Sequence, residues 1–317
     1  MNEASPFDKF DYRFRPAKSV ERNMVCEALG RLSAIGRLDE YRYVAFGAVG
    51  FSDFALFHQR LGISDMISLD HNRDHRMRLE RNRPYSCIRI LPGDAGESLP
   101  TLGWERKRCV VWLDYKLEEF SSRMITEPEL VAEKARSGSV LLVTLNVDSQ
   151  GKPKEHFKRV AEVVDTEGYG IKPASLSKWG YAKVAADILS ERIKKTVNDR
   201  NGGIPERDHV RFHQLFNFVY RDDLRTLTFG GIFVGREDEE RFRSANFGEM
   251  AFIRDASSDQ FEISVPALTL REIKYLDSRL PRLGTDGRLP TWIPLVQRNR
   301  YKKVYRYFPN AHELEAC

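Results

Sequence analysis

Apolar positions in the first half of the chain fall into short, nearly continuous runs separated by segments of helical spacing. The runs are "YRYVAFG", "MISLD", "SCIRILPGD", "RCVVWLDY" and "SVLLVTLNVD". Each has the length of a buried strand rather than a helix. Ahead of them, Val20, Met24, Leu29, Leu32 and Ile35 recur at near-helical spacing and predict a helix over 19–38, with Ser19 as its cap. Phe54, Phe57 and Leu61 mark one face of a helix opening near Ser52. A very polar helix, "HNRDHRMRLERN", follows the second run, and one through "EPELVAEKARSG" follows the fourth. Strands apolar on both faces, alternating with helices, predict an α/β fold with a doubly wound, mostly parallel sheet.

The second half changes character. "GKPKEHF" reads as a polar connection, and "SLSKWGYAKVAADILSERIKKTV" as an amphipathic helix whose basic end suits the helix dipole. "FNFVYRDDLRTLTFGGIFVG" predicts two strands joined by a polar turn at 221–223. Thr269 and Glu272 have capping-box spacing, Leu268 and Ile273 are placed as a hydrophobic staple, and Pro281 ends that helix. The remainder, "TWIPLVQRNRYKKVYRYFPNAHEL", is basic and aromatic without clear periodicity.

Composition narrows the class without choosing a function. Hydrophobic residues at 41% and charged residues at 31% fit a globular protein and exclude wholesale disorder. No apolar run reaches the roughly 20 residues of a membrane-spanning helix. The opening "MNEASPFDKFDYRFRP" is polar and carries acids, unlike a secretory or transit peptide, so a cytoplasmic protein is expected. Cys26, Cys87, Cys109 and Cys317 lack metal-ligand spacing and read as reduced thiols.

In open α/β sheets ligands bind beyond the carboxyl ends of the strands, where the strand order reverses. Those ends carry Gly47, Asp70, Asp94, Asp114, Asn146 and Asp148. Gly47 and Gly50 permit a sharp turn close to a ligand, ahead of a helix N-terminus. No Lys-Ser or Lys-Thr pair follows, which excludes a phosphate-clamping P-loop. The turn alone fits a cofactor loop and a plain tight connection equally. Asp70 is positioned to grip ribose hydroxyls. Asp94 can accept a hydrogen bond from an exocyclic amine while Ala95 leaves room for an adenine ring. His71 is placed to edge the same pocket, with an ordinary helix start as the plainer alternative. Acids after the second and third strands together favour S-adenosylmethionine over a dinucleotide.

The segments "RPAKSVER", "FGAVGFSDFALFHQRLGISDMISLD", "NRPYSCIRI", "VVWLDYK", "SGSVLLVTLN", "LTFGGIFV" and "VPALTLRE…LDSRLP" resemble the class I S-adenosylmethionine-dependent methyltransferases, and within them the bacterial group described as putative O-methyltransferases. The resemblance implies a Rossmann-like seven-stranded sheet with an N-terminal helix and a C-terminal α/β extension. Domain limits would then be a helical lead at 1–40, the methyltransferase-like domain at 41–235, and an extension at 236–317 holding a helix at 269–281 and the basic aromatic tail. It makes Gly47, Gly50 and Ser52 the methionine-side turn, Asp70 the ribose acid and Asp94 the adenine acid. Asp114 and Tyr115 stand where the methyl meets its acceptor. Ala45 occupies the place of the usual acid two residues before the first glycine, and Asp53 is the substitute contact for the amino group. Lys116 replaces the acid common after "LDY" and would serve as a base if burial lowered its pKa.

The expected reaction is methyl transfer to an oxygen or nitrogen acceptor. Mg²⁺ at Asp114, Asn146 and Asp148 is weighed against a plain turn after the fifth strand, and the turn is preferred. The arginine-rich "HNRDHRMRLERNR" and the tail "RNRYKKVYRYF" leave a nucleic-acid substrate open, against solvated-helix and tyrosine-packing readings. A non-catalytic S-adenosylmethionine or nucleotide sensor acting with protein partners is the competing class. A nicotinamide oxidoreductase comes third, with Asp94 against it.

Overall fold

The computed structural model describes residues 15–47, 49–70, 76–116, 118–150, 152–282 and 290–309. The chain runs α1 (Pro16–Gly30), β1 (Arg42–Phe46), α2 (Ser52–Leu61), β2 (Asp65–Asp70), α3 (Arg76–Asn82), β3 (Ile88–Pro92), α4 (Ala95–Ser98), β4 (Cys109–Tyr115), α5 (Arg123–Lys134) and β5 (Val140–Asn146). It continues through α6 (Pro153–Val163), α7 (Gly180–Asn201), β6 (Val210–Arg221), β7 (Arg225–Gly235), α8 (Glu239–Ser244), β8 (Phe261–Ile263), α9 (Leu270–Asp277) and α10 (Leu295–Val304). The strands form one sheet in the order β3-β2-β1-β4-β5-β7-β6-β8. β7 is antiparallel to both β5 and β6, and the other pairings are parallel.

The sheet therefore has eight strands, one more than expected. β8 extends it by pairing Phe218, Val219 and Tyr220 of β6 with Phe261, Glu262 and Ile263. A three-residue strand is too short to leave a readable alternation.

Period-two alternation divides the central strands between two cores. Val111, Leu113, Leu141 and Val143 face α5, α6 and α7. Tyr43, Trp112 and Leu142 face α1 and α2. The second core also takes in Phe247, Phe252, Phe261 and Val304 from beyond β7. Ile273, Leu276, Ile293 and Tyr301 form a satellite cluster around α9 and α10.

Several local expectations change for identifiable reasons. α1 starts at Pro16 rather than Ser19, since proline is preorganised for the first helical position. Its free N–H groups are met from afar: Asp222 accepts from Ala17 N at 3.0 Å and Lys18 N at 3.2 Å. "GKPKEHF" leads into α6, opened by Pro153 and half-burying Phe157 against the core. The tail contains α10, whose buried positions are Arg298, Tyr301 and Val304. The β6–β7 turn falls at 222–224, one position later than expected. The capping box is present, with Thr269 N donating to Glu272 Oε2 at 2.7 Å and Glu272 N to Thr269 Oγ1 at 3.3 Å. Leu268 packs in the cluster with Ile273, as a staple requires. That helix closes at Asp277, before Pro281. Among the described residues no helix is long and apolar enough to cross a membrane.

Candidate functional site

The order reverses at β1: β2 and β3 lie to one side of it and β4 and β5 to the other. In open α/β sheets the ligand crevice falls at such a switch point, beyond the carboxyl ends of the flanking strands, here β1 and β4. Gly47 ends β1 and continues its ladder by donating to Leu69 O at 3.1 Å. The turn through Gly50 enters α2 by way of Phe51, held in the left-handed region at φ 43°. That conformation is unfavourable for a bulky residue. The fully buried Phe51 ring, 5.5 Å from that of Phe54, holds it in place. Ser52 is exposed at the start of α2.

Asp53 does not reach freely into the crevice, because its Oδ2 accepts a hydrogen bond from Tyr43. Burial, then Asp53 itself, holds the Tyr43 phenol well above its usual range. Ser68 Oγ is buried beneath Gly47 without a hydrogen-bond partner among the described residues. Asp70 ends β2 at 8% exposure, and its carbonyl accepts from Gly93 N at 2.9 Å, drawing the loop after β3 toward β2. In that loop Asp94 caps α4, with Oδ1 accepting from Gly96 N at 2.7 Å and the side chain otherwise open. Ala95 is buried beside it. His71 lies outside the described residues.

Asp114 and Tyr115, although adjacent, face opposite sides of the sheet. Asp114 points toward α1, where Lys18 Nζ meets its Oδ2 at 2.8 Å and the backbone N of Lys116 donates to Oδ1 at 3.1 Å. Burial works against ionisation of Asp114, yet Lys18 and Lys116 hold its carboxyl below the usual range. Lys18 is itself lodged 4.5 Å over the Trp112 ring and reaches Glu21 Oε2 at 2.8 Å. Burial would lower the Lys18 ammonium, but the two carboxylates outweigh it and raise the group. Tyr220 completes the cluster, donating to Glu21 Oε2 at 3.2 Å. Lys116, 2% exposed, donates to Asp223 Oδ1 at 2.7 Å. These contacts lace α1, the end of β4 and the β6–β7 turn into one ionic cluster.

Tyr115 takes the other side. Its hydroxyl donates to Glu127, which also receives Arg123 Nε at 3.0 Å. Burial lifts both Tyr115 and Glu127 above their ordinary ranges. After β5, Asn146 Oδ1 accepts from Asp148 N at 2.9 Å, and Asp148 Oδ1 accepts from Gln150 N at 3.0 Å and Arg225 Nη1 at 3.1 Å. These bonds shape a turn and commit Asp148 to Arg225. Among the described residues no group of three or more His, Cys, Asp and Glu side chains is arranged to hold a metal ion.

Lys18, Glu21, Asp222 and Asp223 were not singled out from the sequence. The available signal was a charged pair at i, i+3 on the apolar stripe of "RPAKSVER", between Ala17, Val20 and Met24. Two charges on the buried face of a helix call for partners.

A doubly wound sheet of this order, with a glycine turn and acids around the crevice, is the Rossmann-like architecture of class I methyltransferases. The chain belongs to the family described as putative O-methyltransferases, whose model matches residues 10–316. No curated protein matches it by sequence. Among solved structures it is similar to Trm1 from Pyrococcus horikoshii with S-adenosyl-L-methionine, at 15% identity and a TM-score of 0.44, over 72% of this chain and 58% of that one. The chain thus spans little more than half the length of that protein. It is also similar to an O-methyltransferase from Bacillus cereus in complex with SAH, at 13% identity and a TM-score of 0.38, over 68% of this chain and 81% of that one. A third similarity is to the O-methyltransferase TomG from Streptomyces achromogenes, at 14% identity and a TM-score of 0.37, over 68% and 80%. Likeness at these identities concerns the fold alone.

Proposed function

We propose that the crevice binds S-adenosylmethionine and directs methyl transfer to an oxygen or nitrogen acceptor beside Asp114. The observation that carries this reading is the placement of Asp70, Asp94 and Asp114 at the ends of β2, β3 and β4, around the Gly47–Gly50 turn at the switch point. The donor set suits the cofactor's parts. Asp70 serves the ribose hydroxyls, and the open oxygen of Asp94, above Ala95, serves an adenine amine. The turn into α2 and the exposed Ser52 serve the methionine end. When bound, S-adenosylmethionine supplies an electrophilic sulfonium methyl for in-line displacement.

Asp114 lies at the end of β4 with 31% of its side chain exposed, and its ion pair with Lys18 favours the ionised form. It is assigned to orient the acceptor and accept its hydrogen bond. Lys116 is engaged by Asp223 and is assigned to position the β6–β7 turn instead of acting as the base. Tyr115, bonded to Glu127, is assigned to pack Phe46 at the crevice floor, with ring centroids 5.0 Å apart.

A non-catalytic sensor is the second reading. It is favoured by the ion pairs that already engage both Asp114 and Lys116. Titration calorimetry with S-adenosylmethionine and S-adenosylhomocysteine tests the pocket. Asp70→Ala and Asp94→Ala are each expected to weaken binding roughly tenfold or more, as loss of a charge-assisted hydrogen bond of about 1.5 kcal/mol implies. Unchanged affinity in the exposed Asp94 variant, or no binding by the unmodified protein, overturns the assignment. Under the sensor reading the cofactor binds, but Asp114→Ala leaves the protein's biological output untouched.

A further inference from the structure

A groove of about 640 Å³ lies along the C-terminal half of α1, walled by β8, the segment 249–254 and the end of α10. Its lining carries five cationic side chains and only two acids, Glu27 and Glu249. Both acids are engaged: Glu249 pairs with Arg31 at 3.1 Å, and Glu27 is hydrogen-bonded by Tyr307. Arg254, Lys302, Lys303 and Arg306 have no carboxylate within ion-pair distance among the described residues.

Two of those cations crowd one ring. Lys303 Nζ sits 4.0 Å and Arg254 Cζ 4.9 Å from the centre of Phe261. Among the described residues Lys303 finds a single acceptor, Glu262 O at 2.8 Å, and Arg254 finds the carbonyls of Ala251 and Ile253. Burial lowers the Lys303 ammonium; Glu262 acts against this and Arg254 adds to it. The ring and the carbonyls hold both cations without neutralising them, so an anion entering the groove meets uncompensated positive charge. A phosphate offers several acceptor oxygens to converging donors of this kind. Half-buried Tyr305 and Tyr307 stand at the same wall, aromatic side chains of the kind that bases stack on.

We propose that this groove is a second ligand site, taking the phosphate of a nucleotide unit between Arg254, Lys302, Lys303 and Arg306. Free nucleotide and single-stranded nucleic acid present the same chemistry there. The site is separate from the crevice. α1 spans the two, with Lys18 at the Asp114 end and Met24, Glu27 and Arg31 at the groove. The inference does not depend on the cofactor reading, because its test contains no cofactor.

The probes are ATP and a fluorescein-labelled single-stranded RNA of about 12 nucleotides, a length within known single-strand site sizes. Binding is followed by anisotropy for the RNA and by calorimetry for ATP, across a salt series, on the full chain. The comparison protein carries K302E and R306E, both exposed positions whose replacement leaves the core intact. Circular dichroism and thermal unfolding verify that its fold is kept. At least one probe is expected to bind the unmodified chain, and the double variant to lose tenfold or more. If RNA binds and ATP does not, the source is nucleic acid, and the log–log salt slope falls by about 1.4 for two lost phosphate contacts. If ATP binds as tightly per site, the source is a free nucleotide. Failure of both probes, or equal binding by the double variant, overturns the proposal.

Discussion

Lys18→Met is expected to destabilise the protein by about 3–5 kcal/mol at neutral pH, the range for removing one partner from a buried ion pair. Lys18 is 4% exposed and bridges Glu21, which is fully buried, to Asp114. Methionine preserves most of the stem's packing against Trp112, so the loss reports charge rather than a cavity. Among the described residues Glu21 would keep only the Tyr220 hydroxyl, its Oε1 having no hydrogen-bond partner there. Asp114, partly exposed, contributes the smaller share because solvent screens it. The pH dependence gives a second readout. In the unmodified protein the depressed Asp114 adds stability above its unfolded value, near 4, and that stability is lost as pH falls through the folded value. The raised Lys18 adds stability below about 10.4, lost as pH rises through its folded value. Without Lys18 the depression of Asp114 loses its largest favourable cause, so the variant gains less stability than the unmodified protein as pH rises above about 4. Urea unfolding from pH 3 to 8 should therefore show the gap between the two proteins narrowing in acid. A gap under about 1 kcal/mol at pH 7 would contradict a buried ionic bridge.

This bridge also marks how far the sequence could be read. β1 through β5 were legible because strands covered on both faces leave continuous apolar runs, and a run's end shows which residue meets the crevice. The positions of Asp70, Asp94 and Asp114 at or just after the ends of β2, β3 and β4 were legible that way. Their partners were not, since Lys18 and Asp223 approach Asp114 and Lys116 only through tertiary packing. The start of α1 was hidden for the same reason: its cap, Asp222, is about two hundred positions away in the chain. Period-two geometry at "LDYK" sends neighbours Asp114 and Tyr115 to opposite sides of the sheet, toward Lys18 and Glu127 respectively. α10 and β8 gave too weak a pattern, the first because basic residues dominate it and the second because it is three residues long.

Gly231→Ala is expected to cost about 3 kcal/mol or more, at the upper end of overpacking penalties, because the obstruction is backbone and cannot rotate aside. β7 is squeezed between β5 and β6, and its "GG" pair gives way to both neighbours. A Cβ on Gly231 would overlap the carbonyl oxygen of His213 and lie 2.9 Å from Gln214 Cα. One on Gly230 would overlap Leu141 O and lie 2.9 Å from Leu142 Cα. Opposite the pair, the β6 register shifts between Gln214 and Phe216. The carbonyl of Leu215, within that irregularity, accepts Arg254 N at 2.8 Å, so the distortion also anchors the segment after α8. Pushing β6 and β7 apart would displace the turn that carries Asp222 and Asp223. The α1 cap and the Lys116 partner would move with it. Thermal unfolding should fall by about 4 °C or more, with S-adenosylmethionine affinity reduced in the protein that remains folded. Gly248→Ala is the internal control: a Cβ there meets nothing within 4 Å, and the change should be neutral or stabilising by about 0.5 kcal/mol. Equal melting temperatures for the two variants would show that β7 accommodates a side chain at Gly231, and that the paired glycines are not what lets β5 and β6 close around it.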